Sequence, residues 1–197
     1  PLLCTALKPL GLSARQLADQ AYQYALGGID IIKDDHSLGN QSFSPFENRV
    51  QLCGEAVAKA NRETGFACRY FPSITAAPDK LVASAVFARE AGAGGLLVSP
   101  GIVGLDAMRM LADDDSTGLP IMSHPALQGA FVVNPDHGIA HDVLFGTIAR
   151  FSGADASVFP NYGGRFSFSR EECAAIAKGC RSNLGSIAPI FPTPGGG

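Results

Sequence analysis

Seven short apolar runs, each followed by a polar or Gly/Pro-containing stretch and then an amphipathic segment, limit this chain to few architectures. The runs are Leu2–Leu7, Ile29–Ile32, Ala67–Phe71, Gly95–Val98, Pro120–Met122, Ala156–Phe159 and Ser186–Phe191. They recur roughly every 24 to 39 residues, the length of a strand, a helix and two loops. Continuous apolar runs suit parallel strands covered on both faces. The intervening stretches read as helices over Ser13–Leu26, Phe46–Glu63, Pro78–Ala91, Asp106–Ala112, Pro135–Phe151 and Ser169–Cys180. Ser13 is placed as an N-cap, Pro78 sits at a first-turn position, and Ser169 with Glu172 has capping-box spacing. The pattern predicts an α/β chain holding seven of the eight units of a (β/α)8 TIM barrel; a doubly wound sheet is the alternative from pattern alone.

Composition excludes several classes. The chain has 197 residues, 46% hydrophobic and 17% charged, enough for a folded domain with a real core. Its net charge is −3, without a basic cluster, so nucleic-acid binding has no electrostatic support. No apolar run approaches the roughly 20 residues of a membrane span. Five cysteines without CxxC spacing read as free thiols in a reducing cytoplasm. The N-terminus reads as the inside of a strand and not as a signal peptide, and the C-terminus stops on glycines before an eighth strand. Residues 1–197 are therefore expected to be an incomplete barrel domain of a longer protein.

In barrels the chemistry sits where strands end. Those ends carry Lys8, then Lys33, Asp34, Asp35 and His36, then Ser73, Ser99, His124, Asn161 and Pro194–Gly197. A lysine, an acidic cluster with histidine, a second histidine and a glycine run suggest metal-assisted chemistry on an anionic small molecule. Asp113-Asp114-Asp115 reads as a solvated loop. His137 and His141, four apart, read as a helix surface, since no acidic third ligand lies at the right offset.

The segment Gly27-Gly28-Ile29-Asp30-Ile31-Ile32-Lys33-Asp34-Asp35-His36 resembles the signature G-G-x-D-x-x-K-D-D-E of the RuBisCO large-chain superfamily. Leu7-Lys8-Pro9-Leu10-Gly11-Leu12-Ser13 is similar to its first-strand motif K-P-K-x-G-L-S. Phe151-Ser152-Gly153-Ala154-Asp155 resembles its L-S-G-G-D, Pro120–Ala126 ends a strand in histidine, and Pro192–Gly197 resembles its phosphate loop.

The resemblance implies a divalent metal, Mg2+ in the family, held by Lys33 carbamylated with CO2, by Asp35 and by His36. Imidazole in place of a carboxylate makes Mn2+ or another softer divalent ion a better candidate than in the parent enzyme. The bland reading is that Lys33 pairs with Asp34 or Asp35 and no metal binds. Lys8 matches the family's first catalytic lysine, or is a solvated rim lysine, and His124 matches the histidine ending strand five. Arg165 either holds a substrate oxygen or lies on the surface, and Asn161 is a substrate contact or an ordinary loop residue. Gly195, Gly196 and Gly197 match the glycines whose N–H groups bind phosphate, although a linker remnant would look the same.

Three departures argue against carboxylation: His36 for Glu, Pro125 where an arginine follows the histidine, and Arg165 near the place of the sixth-loop lysine. Leu10 also stands near the position of a family lysine. The resemblance then implies a form IV RuBisCO-like enzyme, an isomerase or decarboxylase type that enolises a phosphorylated sugar or oxo-acid without fixing CO2. It implies a homodimer or larger homo-oligomer. The rival reading is a non-catalytic RuBisCO-derived protein of regulation or assembly.

Overall fold

The computed structural model describes residues 1–134, 136–166 and 168–196. Two compact units divide the chain, one from Pro1 to Leu97 with Ser116–Leu119, the other from Val98 to Asp115 and from Pro120 onward.

The first unit holds β1 (Cys4–Ala6), α1 (Ala14–Leu26), β2 (Ile31–Lys33), α2 (Phe46–Thr64), β3 (Arg69–Phe71) and α3 (Pro78–Glu90). Its sheet has order β1-β2-β3, all parallel, with Cys4, Thr5 and Ala6 opposite Ile31, Ile32 and Lys33. Ser13 caps α1 in a capping box with Gln16, which satisfies amide donors that the first helical turn cannot. Pro78 occupies the first turn of α3, where its missing N–H costs nothing. The apolar stripes of α1 and α2 give Leu17, Ala21, Ala25, Val50, Cys53 and Ala60 complete burial. Gly28, in the signature segment, has φ +84°, a left-handed conformation that lets the chain turn between α1 and β2. A Cβ on Gly95 would lie 2.2 Å from the Phe71 ring, so the backbone before β4 (Leu96–Val98) can approach β3 only as glycine.

The second unit contains α4 (Pro100–Val103), α5 (Leu105–Ala112), β5 (Ile121–Ser123), a 3-10 turn (Gln128–Phe131), a π-helical turn (Val143–Ile148), α6 (Ala149–Phe151), β6 (Ala156–Pro160), α7 (Arg170–Arg181) and β7 (Phe191–Gly195). A sheet of order β4-β5-β6-β7 runs through it, with its β5–β6 and β6–β7 pairs parallel. Ser169 and Glu172 form the expected capping box at α7. Arg150, buried, donates to the carbonyls of Gly179, Ser182, Ile187 and Ala188, and so fixes the turn that leads into β7.

Two sequence expectations shift. The seventh strand begins at Phe191, where the apolar run ends, and residues 184–187 form a turn closed by the Leu184–Ile187 bridge. The Phe191 amide and Gly195 carbonyl bond toward β6, so Pro192 and Pro194 fall at the alternate positions, where a missing donor breaks no bond to β6. Of the helix expected over 135–151, the described part is helical only from His141 onward, as the π-helical turn running into α6. Asn134 accepts amide bonds from Asp136 and His137, and the Ile139 amide donates to the Phe131 carbonyl, so a loop replaces the helical ladder. His137 and His141 therefore do not share a helix face. His141 lies beside Glu172, Nδ1 to Oε1 3.5 Å, and edge-on to Phe168.

All five cysteines are free thiols. Among the described residues, no helix is long and apolar enough to cross a membrane.

Candidate active site

Strand alternation sorts the residues at the end of β2. Lys33 shares a sheet face with Ala6 and Cys4, whereas Ile32, Tyr70 and the following Asp34 take the opposite face, under α2. The backbone is pinned on both sides, because the Leu7 amide donates to the Lys33 carbonyl and the Asp34 amide to the Phe71 carbonyl.

On the Lys33 face, four of the expected residues gather. Lys8, exposed just beyond β1, places Nζ 2.9 Å from Asp35 Oδ2. His36 Nδ1 lies 3.5 Å from Asp35 Oδ1, which also accepts the Ser37 amide at 2.9 Å. Lys33 Nζ donates to the Asp34 carbonyl at 3.1 Å. Burial lowers the Lys33 pKa from its ordinary value, while Cys4 and Asp35 pull it back up and Lys8 pushes it further down. Burial also pushes the Asp35 carboxyl up, but Lys8, the Ser37 amide and His36 outweigh it and hold the group at about 2. Asp35 is thus a carboxylate at any ordinary pH.

These residues fit a divalent cation in one specific way. Among the described residues, no three His, Cys, Asp or Glu side chains are placed to hold a metal. Asp35 and His36 supply two donors, and a Lys33 carbamate would supply a third. Carbamylation requires a neutral amine, and burial favours that form of Lys33. The 3.5 Å between His36 Nδ1 and Asp35 Oδ1 is about 0.5 Å more than the roughly 3.0 Å between adjacent donors of an octahedral ion with bonds of about 2.1 Å, so a small side-chain movement brings both onto one ion.

Asp34 is not a ligand. Its carboxylate is fully buried and accepts from Arg49 Nε at 3.0 Å, Tyr70 OH at 2.7 Å and the Ser73 amide at 2.9 Å. Sequence reasoning missed this network. The available signal was Arg49 itself, a charge at the buried spacing of Val50, Cys53 and Val57 on an otherwise apolar helix stripe.

In the second unit, the remaining candidates also stand at strand ends. His124 follows β5 directly, and its Nδ1 accepts the Ala126 amide at 3.1 Å, so a neutral ring carries its proton on Nε2. Asn161 follows β6; its amide donates to the Gly195 carbonyl and its Oδ1 accepts from the Tyr162 amide. Arg165 is exposed, with its guanidinium 4.9 Å from the Phe166 ring centroid. Gly195 is the last residue of β7, not a loop residue, and Gly196 follows it, exposed. A Cβ on Gly195 would make only ordinary contacts, and one on Gly196 none. The fold itself therefore does not demand glycine at either position. Gly197 lies outside the described residues.

The family model of the ribulose bisphosphate carboxylase large chain, catalytic domain, matches residues 1–163. The chain is 39% identical over 196 residues to a 5-methylthioribulose-1-phosphate isomerase of Rhodospirillum rubrum, covering all of this chain and 50% of the relative. It is 39% identical over 201 residues to a 2,3-diketo-5-methylthiopentyl-1-phosphate enolase of Bacillus velezensis, covering all of this chain and 49% of that one. The crystal structure of a Rubisco-like protein from Rhodopseudomonas palustris superposes with a TM-score of 0.93 at 43% identity, over 100% of this chain and 54% of that chain. The chain thus spans about half the length of the curated relatives it matches.

Proposed function

Because the chain belongs to the RuBisCO large-chain family, and to its RuBisCO-like members, we propose that it is catalytic-domain sequence of an enzyme that enolises a phosphorylated sugar or oxo-acid without fixing CO2. The observation that carries this reading is the meeting of Lys8, Lys33, Asp35 and His36 at the ends of β1 and β2. The names of the two curated relatives support a ketose or diketose monophosphate as the substrate class. The fold that goes with the reading is a (β/α)8 barrel of which the chain holds seven strand-helix units. Its support is that strands follow chain order in both sheets, with parallel pairing. The whole protein is read as a homodimer or larger homo-oligomer.

Lys33 as a carbamate, Asp35 and His36 would hold one divalent cation, Mg2+ or Mn2+. When bound, that ion supplies polarisation of the substrate carbonyl. Lys33, made less basic by burial, is the residue that captures CO2 and stands where an α-proton would be removed. Lys8, oriented by Asp35, holds a proton for the substrate oxygen. His124 offers Nε2–H as a donor to a second substrate oxygen. The amides around Gly195, Gly196 and Gly197 are the reading for the phosphate, with Asn161 and Arg165 as further polar contacts.

Carboxylation is argued against by Pro125, which leaves a second phosphate without the cation the family places there, and by Arg165 in place of lysine. A lost charge-assisted phosphate contact costs roughly 1.5–3 kcal/mol. The test is solvent deuterium exchange at the α-carbon of a ketose monophosphate, run beside radiolabelled CO2 fixation on ribulose bisphosphate. Exchange without fixation is expected. Robust fixation, or exchange surviving both Lys8→Ala and Lys33→Ala, would overturn the reading.

A further inference from the structure

We propose that Arg49 is a positioning residue that holds Asp35 and His36 in place by gripping the chain on both sides of them. The inference rests on the reading of Lys33, Asp35 and His36 as a metal site, and it names what keeps that site in register.

Arg49 is fully buried near the start of α2, and its guanidinium spends its three nitrogens on three points of one segment. Nε donates to Asp34 Oδ2 at 3.0 Å, Nη2 to the Gly39 carbonyl at 2.9 Å and Nη1 to the Ser44 carbonyl at 2.8 Å. Asp35 and His36 lie between the first grip and the second. The segment 34–44 has little regular structure of its own, so its path depends on such tethers. Internal bonds are short in range: the Ser37 amide to Asp35, the Leu38 amide to the Asp35 carbonyl, and the Gly39 amide to Gln41. They shape the turn without reaching a helix; what ties the segment to α2 is Arg49, with Asn40 Oδ1 accepting the Phe46 amide at 2.9 Å on the far side of Gly39.

The first grip is itself aligned. Asp34 receives Tyr70 OH on the oxygen that Arg49 leaves, and the Ser73 amide on the one Arg49 uses. With both oxygens engaged on the helix-covered face, Asp34 cannot rotate toward the Lys33 face, and Asp35 is left to point there. A guanidinium is needed because a planar fork reaches three acceptors at once, whereas an ammonium is a point charge on a flexible stem.

The experiment is Mn2+ binding by the full chain in bicarbonate, followed by electron paramagnetic resonance, with the Lys33 carbamate followed by 13C NMR after labelling with 13CO2. Wild type, Lys33→Ala, Arg49→Lys and Tyr70→Phe are compared after circular dichroism and thermal melts establish which are folded. Outer groups that orient metal ligands typically carry roughly ten- to hundred-fold in affinity, and Arg49→Lys is expected to lose that much while staying folded. Folded Arg49→Lys with wild-type affinity and an unchanged Mn2+ spectrum would overturn the inference. If Arg49→Lys does not fold, Tyr70→Phe decides: weaker Mn2+ binding supports the grip, and wild-type binding overturns it. Wild-type binding that survives Lys33→Ala would instead sink the metal site, and the inference with it.

Discussion

Lys8 and Asp35 form an ion pair at 2.9 Å between the loops that follow two neighbouring parallel strands, β1 and β2. The lysine is mostly in solvent and the carboxylate is almost wholly buried, with side-chain exposures of 63% and 8%. The pair is therefore asymmetric: Asp35 depends on its donors, whereas Lys8 keeps most of its side chain in solvent.

That asymmetry predicts an acid limb. Asp35 is held at about 2 against an ordinary 3.8, so its folded value is depressed. Its contribution is fully present above pH 4 and is lost as pH falls from about 4 to about 2, on the order of 2 kcal/mol. Lys8→Met should raise the Asp35 value toward the ordinary one, while lowering stability at neutral pH by less than about 1 kcal/mol, because Lys8 is solvent-screened. Carboxyl NMR titration and urea midpoints across pH 2 to 7 would check both, and an unchanged Asp35 titration in Lys8→Met would refute the assignment.

The Asp34–Arg49 pair is of the other kind, with both side chains fully buried. Asp34→Asn or Arg49→Met leaves one buried charge unpaired and should cost roughly 3–5 kcal/mol. Replacing both at once, Asp34→Leu with Arg49→Met, should cost less than the two single losses added together, but should stay destabilising, because the Tyr70 hydroxyl, the Ser73 amide and the Gly39 and Ser44 carbonyls lose their partners. Denaturant midpoints of the three variants decide it; single variants as stable as wild type would mean the pair is not closed in solution.

His36 should set metal preference. With imidazole beside Asp35, Mn2+ is expected to bind more tightly than Mg2+, and His36→Glu should narrow the gap by favouring the harder ion. Calorimetric titration of both ions into both proteins measures the ratio. A ratio that His36→Glu leaves unchanged would remove His36 from the ligand set.

Gly196 separates scaffold from ligand. Nothing lies within 4 Å of a Cβ built there and its φ is not left-handed, so Gly196→Ala should leave the melting temperature unchanged. If its amide approaches a phosphate, the methyl group should weaken binding of a sugar monophosphate, which inhibition kinetics would read. Unaltered binding would show that the phosphate sits elsewhere.

Caps and strand ends are legible in the sequence, whereas turns that compete with a helix and contacts between packed elements are not. Ser13 and Ser169 cap their helices as their spacing implies, because a capping box involves only four consecutive residues. Lys8, Lys33, Asp35 and His36 were legible because each ends or follows a strand, and parallel order brings those ends together. Pro192–Gly195 belongs to a strand and not to the loop that its resemblance implies, because alternation places Pro192 and Pro194 off the bonds to β6. The loop over 136–139 is hidden because Asn134 competes for backbone donors that a helix needs. Arg49 and Tyr70 meet Asp34 only after α2 and β3 have packed, across 15 and 36 residues, and no local pattern encodes such a meeting.

Successive residues of one strand end, Lys33 and Asp34, are committed to opposite sides of the sheet. Substitution on the first side therefore alters what a reactant meets, while the second side, closed under a helix, goes on fixing the path of the peptide. A lineage can then vary a residue on the first side, as histidine stands here where the family signature has a carboxylate, without first having to invent a new way to fold.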